Sequence, residues 1–247
     1  MSKYAGKRKC LFIRFGYRVP WNYDEEAVQV LSKFTKLKCS LMPYLYHAAT
    51  QAHKNGTPML RSMLLEFPDD PACTHLDLQY MLGDSLLVAP IFTHDGSVSY
   101  YVPAGVWTNL LNGNQVEGPG WKRETHDFTS LPLLARPNSV IPIGNRDDRP
   151  DYDFSDGVTL HIHQLESGHS AKVEIPTVNG KIETTFEIER KGQEIHIQRV
   201  GPAKQWNINL AGISSIKSAD DQKIEMQNGS TKISVEKQTS EIVIQIT

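Results

Sequence analysis

The sequence predicts a mainly β chain, in which a helical opening segment is followed by two antiparallel β-sandwiches. Three observations predict it. Apolar residues keep a 3.6-residue period up to Asn55-Gly56 and then break into short strand-like runs separated by Gly, Pro and Asn. From about Asp151 the runs alternate cleanly between apolar and polar, the mark of sheets packed on one face and wetted on the other. Between the two regimes lies the polar run Gly144-Asn-Arg-Asp-Asp-Arg-Pro150. The expected division is therefore 1–55, 56–146 and 147–247, and 247 residues with a 39% hydrophobic content suffice for such cores.

In chain order, Leu11, Phe12, Ile13 and Phe15 suggest a strand. Asn22, three residues before Glu25, fits a helix N-cap, and Asp24 to Glu26 place negative charge on the first turn. Ala27, Val30, Leu31, Phe34, Leu37 and Leu41 then form one apolar stripe. Pro43 lacks a backbone N–H, so it kinks this helix or opens a second one, which ends at Asn55-Gly56. Strands are expected at Met59–Phe67, Ser85–Phe92, Tyr100–Pro103, Trp107–Leu111 and Val140–Ile143. The second sandwich draws on Val158–Ile162, Ala171–Ile175, Thr185–Ile188, Ile195–Ile197, Trp206–Leu210, Ile233–Val235 and Ile242–Ile246.

Composition excludes several classes. With 26 basic and 28 acidic side chains the net charge of −2 gives no reason to expect nucleic acid or anionic lipid as a partner. The basic start (Lys3, Lys7, Arg8, Lys9) precedes an apolar stretch too short for a signal peptide, and nothing approaches the roughly 20 apolar residues of a membrane helix. The chain reads as soluble and cytoplasmic. Cys10, Cys39 and Cys73 are widely spaced and read as unpaired thiols.

Three runs carry more than composition: YRVPW (Tyr17–Trp21), LMPYLYHAATQAHKNGTPMLRSMLLEFPDDPA (Leu41–Ala72) and QYMLGDSLLVAPIF (Gln79–Phe92). In these the chain resembles the C-terminal third of a family 31 glycoside hydrolase. The wording of YRVPW and of Glu66–Asp77 resembles the family's α-xylosidases in particular. The resemblance implies that residues 1–55 are the last strand and helix of a (β/α)8 barrel, followed by a proximal and a distal sandwich. It further implies retaining hydrolysis of terminal α-linked xylose, without metal or organic cofactor. The expected ligands are α-xyloside or α-glucoside oligosaccharides. A catalytic-barrel partner chain and homo-oligomer contacts are options it leaves open. Relatives carry an Arg-Leu-His-Gly run on the last barrel strand, where this chain has Leu11-Phe-Ile-Arg-Phe-Gly16 without the histidine. The family's nucleophile and acid/base motifs have no match in the sequence, so no catalytic residue carries over. Arg18 and Trp21 fall where the last barrel strand passes into the final helix, and are the sugar-proximal candidates.

The remaining candidates weigh less. A retaining glycosidase needs two carboxyl groups about 5–5.5 Å apart. Asp69-Asp70, Asp147-Asp148 and Asp220-Asp221 are adjacent acids, and neighbours on an extended chain point apart, so all three read as solvated turn acids. Trp107, Trp121, Tyr100 and Tyr101 suggest either core packing or a flat sugar platform, the second being the signature of a stand-alone carbohydrate-binding module. His161 and His163 share one strand face and read as its exposed polar side rather than as metal ligands. Relatives bury the helical stripe against barrel strands, each such side chain contributing about 1.5–3 kcal/mol. Residues 1–55 are therefore expected to be sticky or partly ordered unless a partner covers them, the expectation for a structural subunit that completes a split enzyme.

Overall fold

The computed structural model describes residues 19–213, 216–220, 222–227 and 230–247. The expected strand at Leu11–Phe15, Cys10 and the candidate Arg18 lie outside the described residues. The described chain opens with a 3-10 turn, Pro20–Asn22, and helix α1, Glu25–Ser40. The cap of α1 is Asp24 rather than Asn22: the Asp24 carboxylate accepts the Ala27 N–H at 2.8 Å, and Asn22 instead closes the preceding turn. Pro43 does not kink α1 but sits in the first turn of a second helix, α2, Met42–Asn55, where its missing N–H costs nothing. Gly56 ends α2 in the left-handed conformation, φ 72°, as the Asn55-Gly56 pair predicts.

The β region begins with β1 (Leu60–Arg61), a short helix α3 (Met63–Glu66), a 3-10 turn (Pro71–His75), β2 (Tyr80–Leu82) and β3 (Leu86–Val88). There follow β4 (Ser97–Asn109), β5 (Gln115–Thr125), β6 (Leu133–Ala135) and β7 (Ser139–Ile143). The last part holds β8 (Val158–His163), β9 (Ser170–Pro176), β10 (Ile182–Lys191), β11 (Glu194–Val200) and β12 (Trp206–Ala211). It closes with β13 (Ile216–Ala219), β14 (Lys223–Gln227), β15 (Ser230–Val235) and β16 (Glu241–Ile246).

The first sheet has the order β1-β2-β3-β6-β4-β5. It folds back on itself: the Gln79 side chain, beside β2, donates to the Tyr101 carbonyl at 2.8 Å and accepts the Tyr101 N–H at 2.7 Å, well away from where β4 pairs with β6. The two halves so enclose Met81, Leu87, Val102, Trp107 and Leu134. The register of β4 on β5 shifts between Val102 and Gly105, so what reads as two strands is one bulged strand. The expected strand at Met59–Phe67 is also corrected. Only Leu60–Arg61 pair, because Ser62 caps a helical turn and Arg61 reaches Glu66 at 2.6 Å across it.

The second unit is a sandwich of two five-stranded sheets, β13-β16-β11-β10-β9 and β14-β15-β12-β8-β7. Their inner faces supply Leu160, Phe186, Ile197, Trp206, Ile208 and Ile244 to one core. All its pairings are antiparallel except β8 with β12, which is parallel. Strand β7 lies before the polar run 144–150, yet it pairs with β8 of this second unit.

A third core joins the units. Leu41 and Tyr44 pack with Leu86, Val88, Leu133 and Ala135 of the first sheet and with Ile141 of β7. The Tyr44 hydroxyl donates to the Leu82 carbonyl at 2.6 Å and accepts the Ser85 N–H at 3.0 Å. Gly83 makes this approach possible: at φ 65° a Cβ there would stand 2.3 Å from the Tyr44 oxygen. Tyr46 donates to the Val178 carbonyl at 2.6 Å, fixing the other side of α2 to the second sandwich.

The two helices thus differ in kind. Helix α2 is built into the core. Helix α1 buries only Cys39, leaves Leu31 43% exposed, and is tethered by surface contacts such as Lys33 to the Thr129 carbonyl at 2.9 Å. The expectation of an incompletely covered helical segment holds for α1 and fails for α2. Chymotrypsin should therefore cleave at Tyr23, Leu31 or Phe34 well before Tyr44 or Tyr46, as read by mass spectrometry of early fragments; equal rates would show that α1 is as firmly packed as α2.

Candidate functional site

The candidate residues do not converge. Trp21 lies in the opening 3-10 turn with its side chain 66% exposed, and Tyr23 beside it is also exposed. Of the four aromatic residues weighed as a sugar platform, three belong to the core. Trp107 is fully buried, its indole N–H donating to the Pro103 carbonyl at 3.0 Å, and Tyr100 and Tyr101 are buried with it. Only Trp121 presents its ring to solvent.

Of the adjacent acids, Asp69, Asp147 and Asp148 are exposed, as expected of turn acids, and several also make structural bonds. Asp70 caps the Pro71–His75 turn through the Ala72 N–H at 3.0 Å and accepts the Tyr101 hydroxyl at 2.9 Å. Asp148 takes a two-point bond from Arg146, which holds its carboxyl down at about 2. Asp220 accepts the Val243 N–H at 2.6 Å, and Asp221 lies outside the described residues. Where the surroundings move a carboxyl group among the described residues, they move it down, as at Asp95, Asp127 and Glu174. A general acid requires the opposite shift.

One polar cluster has no sequence signature, because its members are far apart in the chain. Lys204 Nζ lies 2.7 Å from Asp153 and also bonds Glu183 and the Ser155 hydroxyl. Burial opposes the charges of Asp153 and Lys204, but their mutual bonds outweigh it, holding the carboxyl low and the ammonium high. Within the cluster the Ser155 hydroxyl is itself bonded to Asp153 and Glu183. The cluster ties the entry of the second sandwich to β10. A cleft of about 470 Å³ between α2 and the two β units gathers His47, Asp84, Arg136, Lys172 and Glu174, but Arg136 pairs with Glu66 and Lys172 with Glu174.

His161 and His163 correct a further expectation. They share the outer face of β8, but that face is covered: His163 is 2% exposed, and neither of its ring nitrogens has a hydrogen-bond partner. His161 Nδ1 lies 3.2 Å from the Asn209 amide nitrogen. Burial, with Lys232 near His161 and the two rings near each other, lowers the pKa of His161 to about 4 and of His163 to about 3. Among the described residues no three His, Cys, Asp or Glu side chains gather as metal ligands.

With this geometry in place, the comparisons identify the class. Residues 56–141 match the family model "Glycosyl hydrolase family 31 C-terminal domain", and residues 153–246 match "Alpha-xylosidase YicI, C-terminal domain". The chain belongs to glycoside hydrolase family 31, of which it carries these C-terminal domains. It is 38% identical over 189 residues to the α-xylosidase XylQ of Lactiplantibacillus pentosus, covering 75% of this chain and 24% of that protein. It is 39% identical over 181 residues to an α-xylosidase of Emericella nidulans, covering 70% and 21%. The chain thus spans about a quarter of these relatives' length. In fold it matches a family 31 dextranase of Flavobacterium johnsoniae, with TM-score 0.78 and 21% identity over 93% of this chain and 34% of that one. A family 31 α-xylosidase of Xanthomonas citri matches with TM-score 0.69 and 23% identity over 80% and 24%.

Two outcomes follow from the buried aromatic and histidine positions. Trp107→Ala should destabilise the fold by about 3–5 kcal/mol, read from denaturant midpoints, and so cannot serve as a probe of sugar contact. Each histidine has a folded pKa below its unfolded value of about 6.5, so the unfolded chain binds more protons between the two. Stability from the neutral pair is complete above pH 6.5 and is lost as pH falls toward about 4 and then about 3. His163→Leu should flatten the fall in melting temperature between pH 6.5 and 4.5; an unchanged slope would mean that the pair is solvated.

Proposed function

We propose that this chain supplies the C-terminal part of a retaining glycoside hydrolase acting on terminal α-linked xylose. The observation that carries the reading is the likeness to two α-xylosidases at 38% and 39% identity, together with two family 31 C-terminal models covering residues 56–141 and 153–246 in succession. In this reading residues 1–55 are the last strand and helix of the catalytic (β/α)8 barrel, 56–146 the proximal and 147–247 the distal β-domain, with β7 of the proximal stretch built into the distal sheet. The solvent-facing apolar side chains at Trp21, Tyr23 and Leu31 support it, since they are the surface that barrel strands would cover. Arg18 and Trp21 then lie near the sugar. The catalytic carboxylates belong to the barrel, supplied by the same polypeptide or by a partner chain. The β-domains brace the final barrel helix through Tyr44 and Tyr46. The free thiols Cys39 and Cys73 favour a reducing, cytoplasmic setting.

The test uses an antibody against residues 60–247 to isolate the native polypeptide and its companions, followed by assay on aryl α-xylosides and α-glucosides. The expected result is faster cleavage of the α-xyloside with net retention at the anomeric carbon. The 247-residue chain alone should show no rate above background, since loss of a catalytic set costs on the order of 10⁶ in rate. Inversion, or no cleavage of α-xylosides by the native material, would overturn the reading.

A further inference from the structure

Trp121 stands apart from the other aromatic residues of the first β unit. It lies on β5, the edge strand of the first sheet, and is 62% exposed. The two buried tryptophans both have their indole N–H satisfied, Trp107 by the Pro103 carbonyl at 3.0 Å and Trp206 by the Thr239 carbonyl at 3.2 Å. The Trp121 N–H has no acceptor among the described residues. Its ring is nevertheless held in place: the Tyr101 ring meets it edge-on with centroids 5.9 Å apart, and Tyr101 is itself pinned by Asp70 and Gln79. The indole thus presents an open face and an N–H that no protein group takes up, both available to a ligand.

The surroundings select a ligand class. Arg123, two residues on and hence on the same face of β5, is exposed and pairs with no carboxylate among the described residues. Asp69, equally exposed and unbonded, lines a neighbouring cleft of about 510 Å³ with Phe67, Pro68, Tyr101, Pro103 and Pro119. A protein-docking surface would offer a broad apolar patch. Here one flat ring shares its strand face with the exposed Arg123 and Glu117, beside the cleft that holds Asp69. That pattern matches a neutral sugar, whose C–H face stacks on a ring while hydroxyl groups at its rim reach polar side chains.

We infer that the outer face of the β4–β5 hairpin, centred on Trp121 with Arg123 and Asp69 at its rim, is a saccharide-binding platform. The ligand class leans on the glycosidase reading; the platform itself does not.

Affinity electrophoresis of the full 247-residue chain tests this, in native gels containing xyloglucan, dextran or no polysaccharide. The chain should be retarded by at least one of the two, and Trp121→Ala should weaken the apparent affinity about tenfold or more. Phe92→Ala, which removes another exposed ring, should leave retardation unchanged. Arg123→Ala should weaken it to a smaller extent, a second check that does not disturb the aromatic pair. Near-UV circular dichroism of each variant establishes that it is folded. Failure of both polysaccharides to retard the chain, or equal retardation of the parent and Trp121→Ala, would overturn the platform. Cleavage of α-xylosides by the native material in either case would leave the glycosidase reading standing.

Discussion

The insertion of α2 between the two β units is the constraint on which the architecture depends. Tyr44 ties it to the β2–β3 turn by two hydrogen bonds, each contributing about 1 kcal/mol net, and would forfeit more if left unpaired in the core. Burial keeps its phenol protonated far above the ordinary range, so the hydroxyl both donates and accepts at any physiological pH. Tyr46 and the neighbouring Tyr152, which donates to the Cys39 carbonyl at 2.8 Å, connect the helical segment to the second sandwich. Without this helix the apolar face of Leu86, Val88 and Leu133 would lie open.

Much of this was legible in the sequence because it rests on periodicity. The strands of the second sandwich alternate strictly, and β8, β12, β15 and β16 fall where the alternation places them. The first unit was harder to read, since its strands do not announce themselves. In β5 the Gly118-Pro119-Gly120 run looks like a turn, but at a sheet edge proline need not donate to a ladder and the strand runs through it. Met59–Phe67 looks like a strand by composition, but a serine cap and an Arg61–Glu66 pair five residues apart favour one helical turn. Nor could alternation alone reveal that His163, on the polar side of β8, is buried.

The acidic and basic side chains divide in the same manner. Acids adjacent in sequence serve as caps and surface pairs, whereas the densest ionic cluster joins residues 153, 155, 183 and 204. It forms where the chain enters the second sandwich, and its value there is geometric, since a buried ion pair adds little net stability. The shifts imposed on Asp148 and Asp153 run downward, opposite to what a general acid demands. Trp21 and Trp121 expose their indoles, Trp121 with the Tyr101 ring set edge-on against it.

Strand β7 sets the limits within which evolution or design can rearrange this molecule. The obvious place to join one relative's β-domain to another's is the polar stretch 144–150, where sequence variation should be tolerated. Yet five residues upstream of it, Ser139–Ile143, already hydrogen-bond to β8, with Ser139 opposite His163 and Ile143 opposite Thr159. A chimera joined in the polar stretch would pair a foreign β7 with a native β8 and place a foreign residue 141 in the shared core. The exchangeable module therefore begins before Ser139, in the turn at Arg136–Asn138, and heredity of the second sandwich includes a strand that lies on the far side of its linker.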